Sequence, residues 1–411
     1  MVASSGLNLL FVHEVSYLDK VVFEMHDFPE LLAGAGHRVW FVDFPEGRVR
    51  RGGRRILDLR TEVTRGVNRS HHGGEVDVYT PGRGLPPPFD RPSSQLTHRI
   101  AIARLIREQK TDAVVLYGVP TNGWATIRAA KAAGVPVLFR SIDVSHLLRR
   151  TRLSPLIRRA ERYVVRNADW ISTHNDALRR YLVAEGADPA RISIERPGMD
   201  LRRFAPVDAN DHTRSELGFS PEDRVAVFMG TLYRFAGLDW MIRDLSPYLR
   251  RQSHRKLMIV GDGEEGASLR RLADKVAPPG SVVFTGKVDY DRLPAVLGAA
   301  DVAVNPFDES PVTHCALPGK MLQYMAMGLP SVTTPLDGLR SVVGDASGIR
   351  FAPAGPRFAS AVSDLLDDPI MGDRVGADAR RAAEEIFSWP GCLAAFGDRL
   401  TSVIDAARAH G

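Results

Sequence analysis

The chain has 411 residues, 44% hydrophobic and 25% charged, with a formal net charge of +5. These are the proportions of a globular chain too long for one core, so two domains are expected. No apolar run reaches the ~20 residues of a membrane span. Residues 1–20 also lack the basic start and small-residue cleavage site of a secretory signal, so 7–13 reads as a buried first strand, and the cytoplasm or its membrane face is the expected location. The two cysteines, Cys315 and Cys392, are too far apart to suggest a disulfide framework and fit a reducing compartment.

In chain order, short apolar strands at 7–13, 38–43, 76–80, 113–117, 135–140, 170–173 and 192–194 alternate with helical patterns at 21–35, 96–108, 124–133 and 155–167. The alternation pauses at 197–210 (PGMDLRRFAPVDAN), which reads as a linker. It resumes with strands at 225–230, 256–260, 282–285, 301–306 and 331–334 and helices at 239–249, 267–276, 293–299 and 320–327. A last helix, 393–409, follows Trp389-Pro390, where the proline bends or restarts it. This pattern predicts an α/β fold of two doubly wound Rossmann-like domains, residues 1–203 completed by 390–411, and residues 204–389. Such sheets hold ligands beyond the carboxyl ends of their strands, so the two domains are expected to face each other across a cleft.

The positive charge is carried by arginine, with only seven lysines. Residues 48–69 hold eight arginines against Asp58 and Glu62, and residues 149–166 hold seven against Glu161. No aromatic-rich platform or helix-turn-helix pattern accompanies them, so nucleic acid is not an expected partner. A solvated face is the plain reading of such clusters, and an anionic membrane surface or acidic acceptor the sharper one. The Pro86-Pro87-Pro88 loop fits the same lipid-linked or anionic acceptor.

The most informative segment is 302–335. An apolar strand leads through a polar, Pro-rich loop into a helix that starts at Pro318-Gly319, carries Lys320 in its first turn and stops at Gly328-Leu329-Pro330. Unsatisfied N–H groups at a helix start, with a lysine beside them, suit a diphosphate. Gly261-Asp262-Gly263-Glu264-Glu265-Gly266 matches a dinucleotide fingerprint in spacing, but three acidic residues would oppose a pyrophosphate, so a tight strand-to-helix turn is expected. Asp289-Tyr290-Asp291 reads as the capped start of the helix ending at Ala299 rather than a metal motif. No histidine has metal-ligand spacing, and no metal site is expected. Cys315 lacks a paired base and reads as a packed loop residue. In the first domain His13 and Glu14 end the first strand, and Asp143 and His146 follow the strand at 135–140. Both sets fall at strand carboxyl ends, where they serve as candidate site residues or as satisfied loop polar groups.

Five segments together resemble the retaining GT-B glycosyltransferases often called family 4. They are Ala168-Asp169 with Pro197-Gly198-Met199-Asp200 and Phe204; Phe228-Met229-Gly230-Thr231-Leu232 with Gly237-Leu238; Val260-Gly261-Asp262-Gly263 with Val283-Phe284-Thr285-Gly286; the run from Leu317 to Pro330; and Phe387-Ser388-Trp389. The resemblance covers residues ~165–395 well and the N-terminal domain only in layout. It implies a glycosyltransferase that moves a sugar from a nucleotide-diphosphate sugar, a UDP- or GDP-sugar, to an acceptor hydroxyl, with retention and without metal or cofactor. The donor would be held by Gly230, Thr231, Arg234, Gly261, Lys287, Val288, His314, Leu317, Pro318, Gly319, Lys320 and Gln323. The acceptor, anionic, lipid-linked or a small molecule, would lie on the N-terminal domain beside Asp143, His146 and His13, with peripheral membrane association. Retention lets the leaving phosphate take the acceptor proton; inversion would require His13, Asp143 or His146 as base. The sequence departs from the family where two glutamates are usual: Cys315 and Gln323 stand there. A basic pair of the donor loop is replaced by Thr231 and Ala236, with Arg234 as the substitute charge. A nucleotide-sugar epimerase or a catalytically silent binding protein shares this layout.

Overall fold

The computed structural model describes residues 6–44, 58–85, 89–147, 153–207, 211–345 and 347–410. The arginines at 48–55 and 149–152, the prolines at 86–88, and 208–210 of the expected linker lie outside the described residues. The chain divides into two compact units, Met1–Arg196 with Pro390–Gly411, and Pro197–Trp389.

The first unit is built on eight strands: β1 Asn8–Val12, β2 Arg38–Val42, β3 Glu62–Val67, β4 Val76–Thr80, β5 Ala113–Leu116, β6 Val137–Ser141, β7 Trp170–Thr173 and β8 Ile192–Ile194. Their order is β3-β4-β2-β1-β5-β6-β7-β8. Among these described strands the β3–β4 pairing is antiparallel and the others are parallel. Leu9, Leu10, Phe11 and Val12 of β1 are completely buried. A parallel strand covered on both faces must be apolar throughout, which is why this run is legible without alternation. Strand β3 was not expected: its sequence, EVTRGV, is exposed along most of its length and carries no hydrophobic pattern. Arg140 of β6 is also fully buried. Its guanidinium reaches the Glu24 carboxylate at 2.7 and 3.0 Å, the Ser172 hydroxyl and the Glu195 carbonyl, so its charge is compensated inside the unit.

The second unit holds β9 Arg224–Met229, β10 Arg255–Val260, β11 Val282–Gly286, β12 Val302–Asn305, β13 Ser331–Thr333 and β14 Ile349–Phe351. They form one parallel sheet in the order β11-β10-β9-β12-β13-β14. The strand order reverses between β9 and β12, and the crevice at their carboxyl ends is where such a sheet receives a ligand. One apolar cluster, with Met258, Met321 and Met325, covers one face, and another, with Phe228, Ile242 and Phe358, covers the other.

Residues 197–203, assigned by sequence to the first domain, pack in the second unit. The Met199 N–H donates to the Phe387 carbonyl at 2.8 Å. Gly198 passes so close to Trp389 that a Cβ would lie 2.4 Å from the indole. The proline of Trp389-Pro390 stands at the start of helix Trp389–His410, where its missing N–H costs nothing. Two local expectations change. Asp289 makes no side-chain cap: a 3-10 turn, Tyr290–Arg292, precedes helix Leu293–Gly298, and Asp291 instead pairs with Arg203 at 3.4 Å. The loop after β12 contains a short helix, Pro311–Cys315, closed by reciprocal bonds between Ser310 and Thr313. Cys315 is therefore a buried helical residue, and neither it nor Cys392 forms a disulfide.

Candidate functional site

At the carboxyl ends of β9, β10 and β11 the backbone segments interlock through glycines. The Gly230 N–H donates to the Val260 carbonyl at 2.9 Å, and the Gly261 N–H to the Gly286 carbonyl at 2.8 Å. Gly261 has φ +130°, and a Cβ there would sit 2.0 Å from the Gly230 oxygen. A side chain is excluded both by conformation and by space. The Leu232 N–H is bonded to the Asp262 carbonyl at 3.1 Å, and Asp262 Oδ1 accepts from the Gly263 N–H at 2.8 Å. The G-x-G-x-x-G run is thus a turn locked against the Gly230 loop, as its acidic composition suggested.

Helix Gly319–Ala326 is fixed over this floor by Tyr324, whose buried hydroxyl accepts the Met229 N–H at 2.7 Å. One turn earlier, Lys320 extends to Gly230: a Cβ on Gly230 would meet its Nζ at 3.0 Å. The ammonium lies 3.9 Å from the Phe228 ring centroid and 4.4 Å from that of Phe307. No carboxylate among the described residues pairs with it, and burial holds its pKa well below the usual lysine value. Ring faces compensate a cation by only about 2 kcal/mol when desolvated, much less than an anion in direct contact. A cation in this position is complete only with an anionic partner. Around Gly319 a Cβ would meet nothing within 4 Å, leaving the first turn open to a ligand.

The other expected donor residues are distributed around this centre. Leu317 and Pro318 are buried immediately before the helix, and Gln323 is half-buried one turn after Lys320. Lys287 and Val288 follow Gly286 and border a cavity of ≈ 400 Å³ with Thr285 and Arg292. Thr231 and Arg234 are exposed. Arg234 acts electrostatically on Asp308, whose carboxyl is raised by burial and by Asp239, and lowered by its bond to Trp240 and by Arg234. His314 is turned towards Asp337, 3.5 Å from its carboxylate. The rings of Phe228 and Phe307 define the Lys320 environment; Phe228 opens the Phe228–Leu232 motif, whereas Phe307 had no motif to announce it.

In the first unit His13 and Asp143 do not share a contact. Strand β5 lies between β1 and β6, so the strand ends carrying them are roughly 10 Å apart. His13 stacks on Tyr117 at 5.3 Å, and its Nδ1 accepts the Glu14 N–H at 2.8 Å. Burial brings its pKa down to about 3. Glu14, 6% exposed, accepts the N–H groups of Thr121 and Asn122, each at 2.6 Å. Asp143 is pushed up to about 7, first by burial and then by the Glu161 carboxylate. His146 lies with its Nδ1 2.9 Å from Glu161 Oε2 and 3.1 Å from the Tyr181 hydroxyl. Glu161 and Tyr181 were missed in the sequence because they belong to separate helices. Among the described residues no group of three His, Cys, Asp or Glu is placed to hold a metal, and no helix is long and apolar enough to cross a membrane.

Two Rossmann-like, largely parallel sheets in one chain, one of them with a lysine at its switch point that no carboxylate among the described residues pairs, are the architecture of a GT-B glycosyltransferase. Residues 24–198 match the glycosyl transferase 4-like domain and residues 223–368 the glycosyl transferases group 1. The chain belongs to this group of glycosyltransferases. It is 28% identical over 314 residues to a GDP-mannose-dependent monoacylated alpha-(1-6)-phosphatidylinositol monomannoside mannosyltransferase of Corynebacterium glutamicum, covering 74% of this chain and 79% of that one. It is 32% identical over 261 residues to D-inositol 3-phosphate glycosyltransferase 2 of Catenulispora acidiphila, covering 61% of this chain and 60% of that one. The match thus spans well over half, but not all, of either relative. Among solved structures, sucrose-phosphate synthase from Thermosynechococcus elongatus superposes with a TM-score of 0.76 at 17% identity, over 97% of this chain and 100% of that one. Anabaena HepE in complex with UDP does so with a TM-score of 0.71 at 15% identity, over 96% and 100%. At such identities these two speak for the fold.

Proposed function

We propose that the chain transfers a hexosyl group from a UDP- or GDP-sugar to a hydroxyl of an anionic acceptor, lipid-linked or of the inositol phosphate type, with retention of anomeric configuration. The observation that carries this is Lys320: a half-buried amine between the Phe228 and Phe307 rings, with no carboxylate partner among the described residues, its Nζ beside Gly230 at the carboxyl end of β9. When the bond from the anomeric carbon to the diphosphate breaks, negative charge grows on the leaving phosphate. Lys320 and the open N–H groups at the start of helix Gly319–Ala326 would stabilise it, with Arg234 as a further cation from the donor loop. The same phosphate oxygen takes the acceptor proton as the new glycosidic bond forms, so no protein nucleophile is required. Gln323, donor and acceptor at once, would bind the ribose hydroxyls. Asp143 would orient the acceptor from the first unit. Support for an anionic acceptor comes from the names of the two relatives, both of which act on phosphate-bearing inositol compounds, and from the arginine-rich sequence. Peripheral attachment to a membrane follows if that acceptor is a lipid.

The test is a thermal-shift panel of UDP-, GDP-, ADP- and dTDP-sugars. A true donor at 100 times its dissociation constant adds about 2.7 kcal/mol of stability. The reading is lost if none of these sugars raises the melting temperature. NMR of the product anomeric centre separates retention from inversion.

A further inference from the structure

Helix Ser154–Asn167 borders a cavity of ≈ 580 Å³ in the first unit, lined by His146, Leu147, Ser154, Arg158, Arg159 and Arg162. Two of these arginines share one carboxylate here. Glu185, 3% exposed, accepts Arg158 Nε and Nη2 at 2.6 to 3.1 Å and Arg162 Nε at 2.8 Å. That bridge fixes two guanidinium groups one turn apart and leaves Arg158 Nη1 and both Nη atoms of Arg162 without a partner among the described residues. Arg159 has none at all there. His146, 8% exposed, turns Nδ1 to Glu161 and Tyr181, so Nε2 is the nitrogen left to the cavity. The donor set is therefore a fan of guanidinium N–H groups, ordered in advance by a buried acid and completed by one imidazole nitrogen. Its three guanidinium charges outnumber the carboxylates of Glu185 and Glu161 beside them by one, and guanidinium forks suit phosphate oxygens. A space of this size accepts a phosphate together with the ring or chain that bears it.

We propose that this cavity binds the phosphate group of an organic phosphate ester. Phosphate oxygens take the arginine N–H groups. His146 Nε2 takes the remaining position, either accepting from a singly protonated phosphate or, as imidazolium, donating to it. The assignment rests on the transferase reading only in making this ester the acceptor; the site itself stands without it.

The experiment uses the full chain and inorganic phosphate as probe, at constant ionic strength adjusted with chloride to remove general screening. Phosphate should raise the melting temperature of the unmodified protein and of Lys320→Ala, in which the donor site is disabled. Arg159→Ala, an exposed helical position that folding does not depend on, should weaken the apparent phosphate affinity about tenfold or more, with partial rescue in Arg159→Lys. Co-sedimentation with phosphatidylinositol-containing vesicles, compared with phosphatidylcholine alone, identifies the source. Arg159-dependent sedimentation means a lipid ester, and phosphate binding without it means a soluble one; both support the site. An unchanged phosphate response in Arg159→Ala, or a response lost in Lys320→Ala but kept in Arg159→Ala, overturns it. So does the absence of both phosphate and vesicle binding. A nucleotide-sugar shift in the same protein would then show that the transferase reading survives the loss of this site.

Discussion

Lys320 is held in a state that costs the empty protein stability. Its pKa lies below that of a solvated lysine, so between the two values the unfolded chain binds more protons than the folded one. Stability contributed at this position therefore rises with pH across that window and is lowest where the ammonium is fully charged. Lys320→Met is expected to raise the melting temperature of the ligand-free protein near neutral pH while lowering kcat/KM at least ~100-fold, a pairing seen when a charge is kept for catalysis rather than for the fold. A melt and a steady-state assay on the same preparation check both halves. Asp143 carries the opposite sign. Raised to about 7 by burial and Glu161, it is protonated more in the folded chain than in the unfolded one between its ordinary value and 7, and its contribution to stability is lost as pH rises through that range. If its carboxylate orients the acceptor, kcat/KM should climb through a pH near 7. In Asp143→Asn that limb should disappear from the pH–rate profile, and the protein should melt higher at pH 8.

Among the elements, the turn after β10 is the least tolerant of change. Gly261→Ala must displace the Gly230 carbonyl and adopt a positive φ. A loss of about 2–4 kcal/mol is expected, together with loss of nucleotide-sugar binding, read by denaturant titration and thermal shift. These glycines and the stop at Gly328, with φ +66°, could be read from sequence because each marks a backbone demand. The doubly covered strands β1, β9 and β12 were legible for the same reason, since burial on both faces leaves an unbroken apolar run. Strand β3 was not, because an exposed edge leaves no such imprint, and helix Pro311–Cys315 was hidden inside what read as a proline-rich loop. The candidate site was legible only in part. Lys320, Gly230 and Phe228 stand in motifs, but Phe307, Glu161 and Tyr181 matter through distances that spacing does not encode.

For the whole molecule, the two units should respond differently to acid. The first contains His13 and His26, brought by burial to about 3 and about 4, and His174, lowered by burial against Glu24. His13 and His26 stay neutral in the folded chain down to those values and charge on unfolding, and the downward shift of His174 has the same sign, so the unfolded chain takes up more protons below pH ~6.5 and stability falls as pH drops through that window. Glu24, held low by Arg140 and His174 against the effect of burial, adds a further loss as pH falls below the usual carboxylate range. Melts at pH 7.0, 5.5 and 4.5 should show the transition of Met1–Arg196 moving down first. A nucleotide sugar should stabilise chiefly Pro197–Trp389, so its presence at pH 5 should separate one transition into two.

The aromatic enclosure of Lys320 also makes it a chemical reporter. Acylation and reductive alkylation require the neutral amine, and burial extends that form to lower pH. In a chain with seven lysines, brief treatment with a small aldehyde and a borohydride reductant should therefore modify Lys320 early, at a position peptide mass mapping can assign. A nucleotide diphosphate seated on the amine would return its proton and shield it from the reagent, so the labelling yield at this one residue measures occupancy of the donor site with no sugar acceptor in hand.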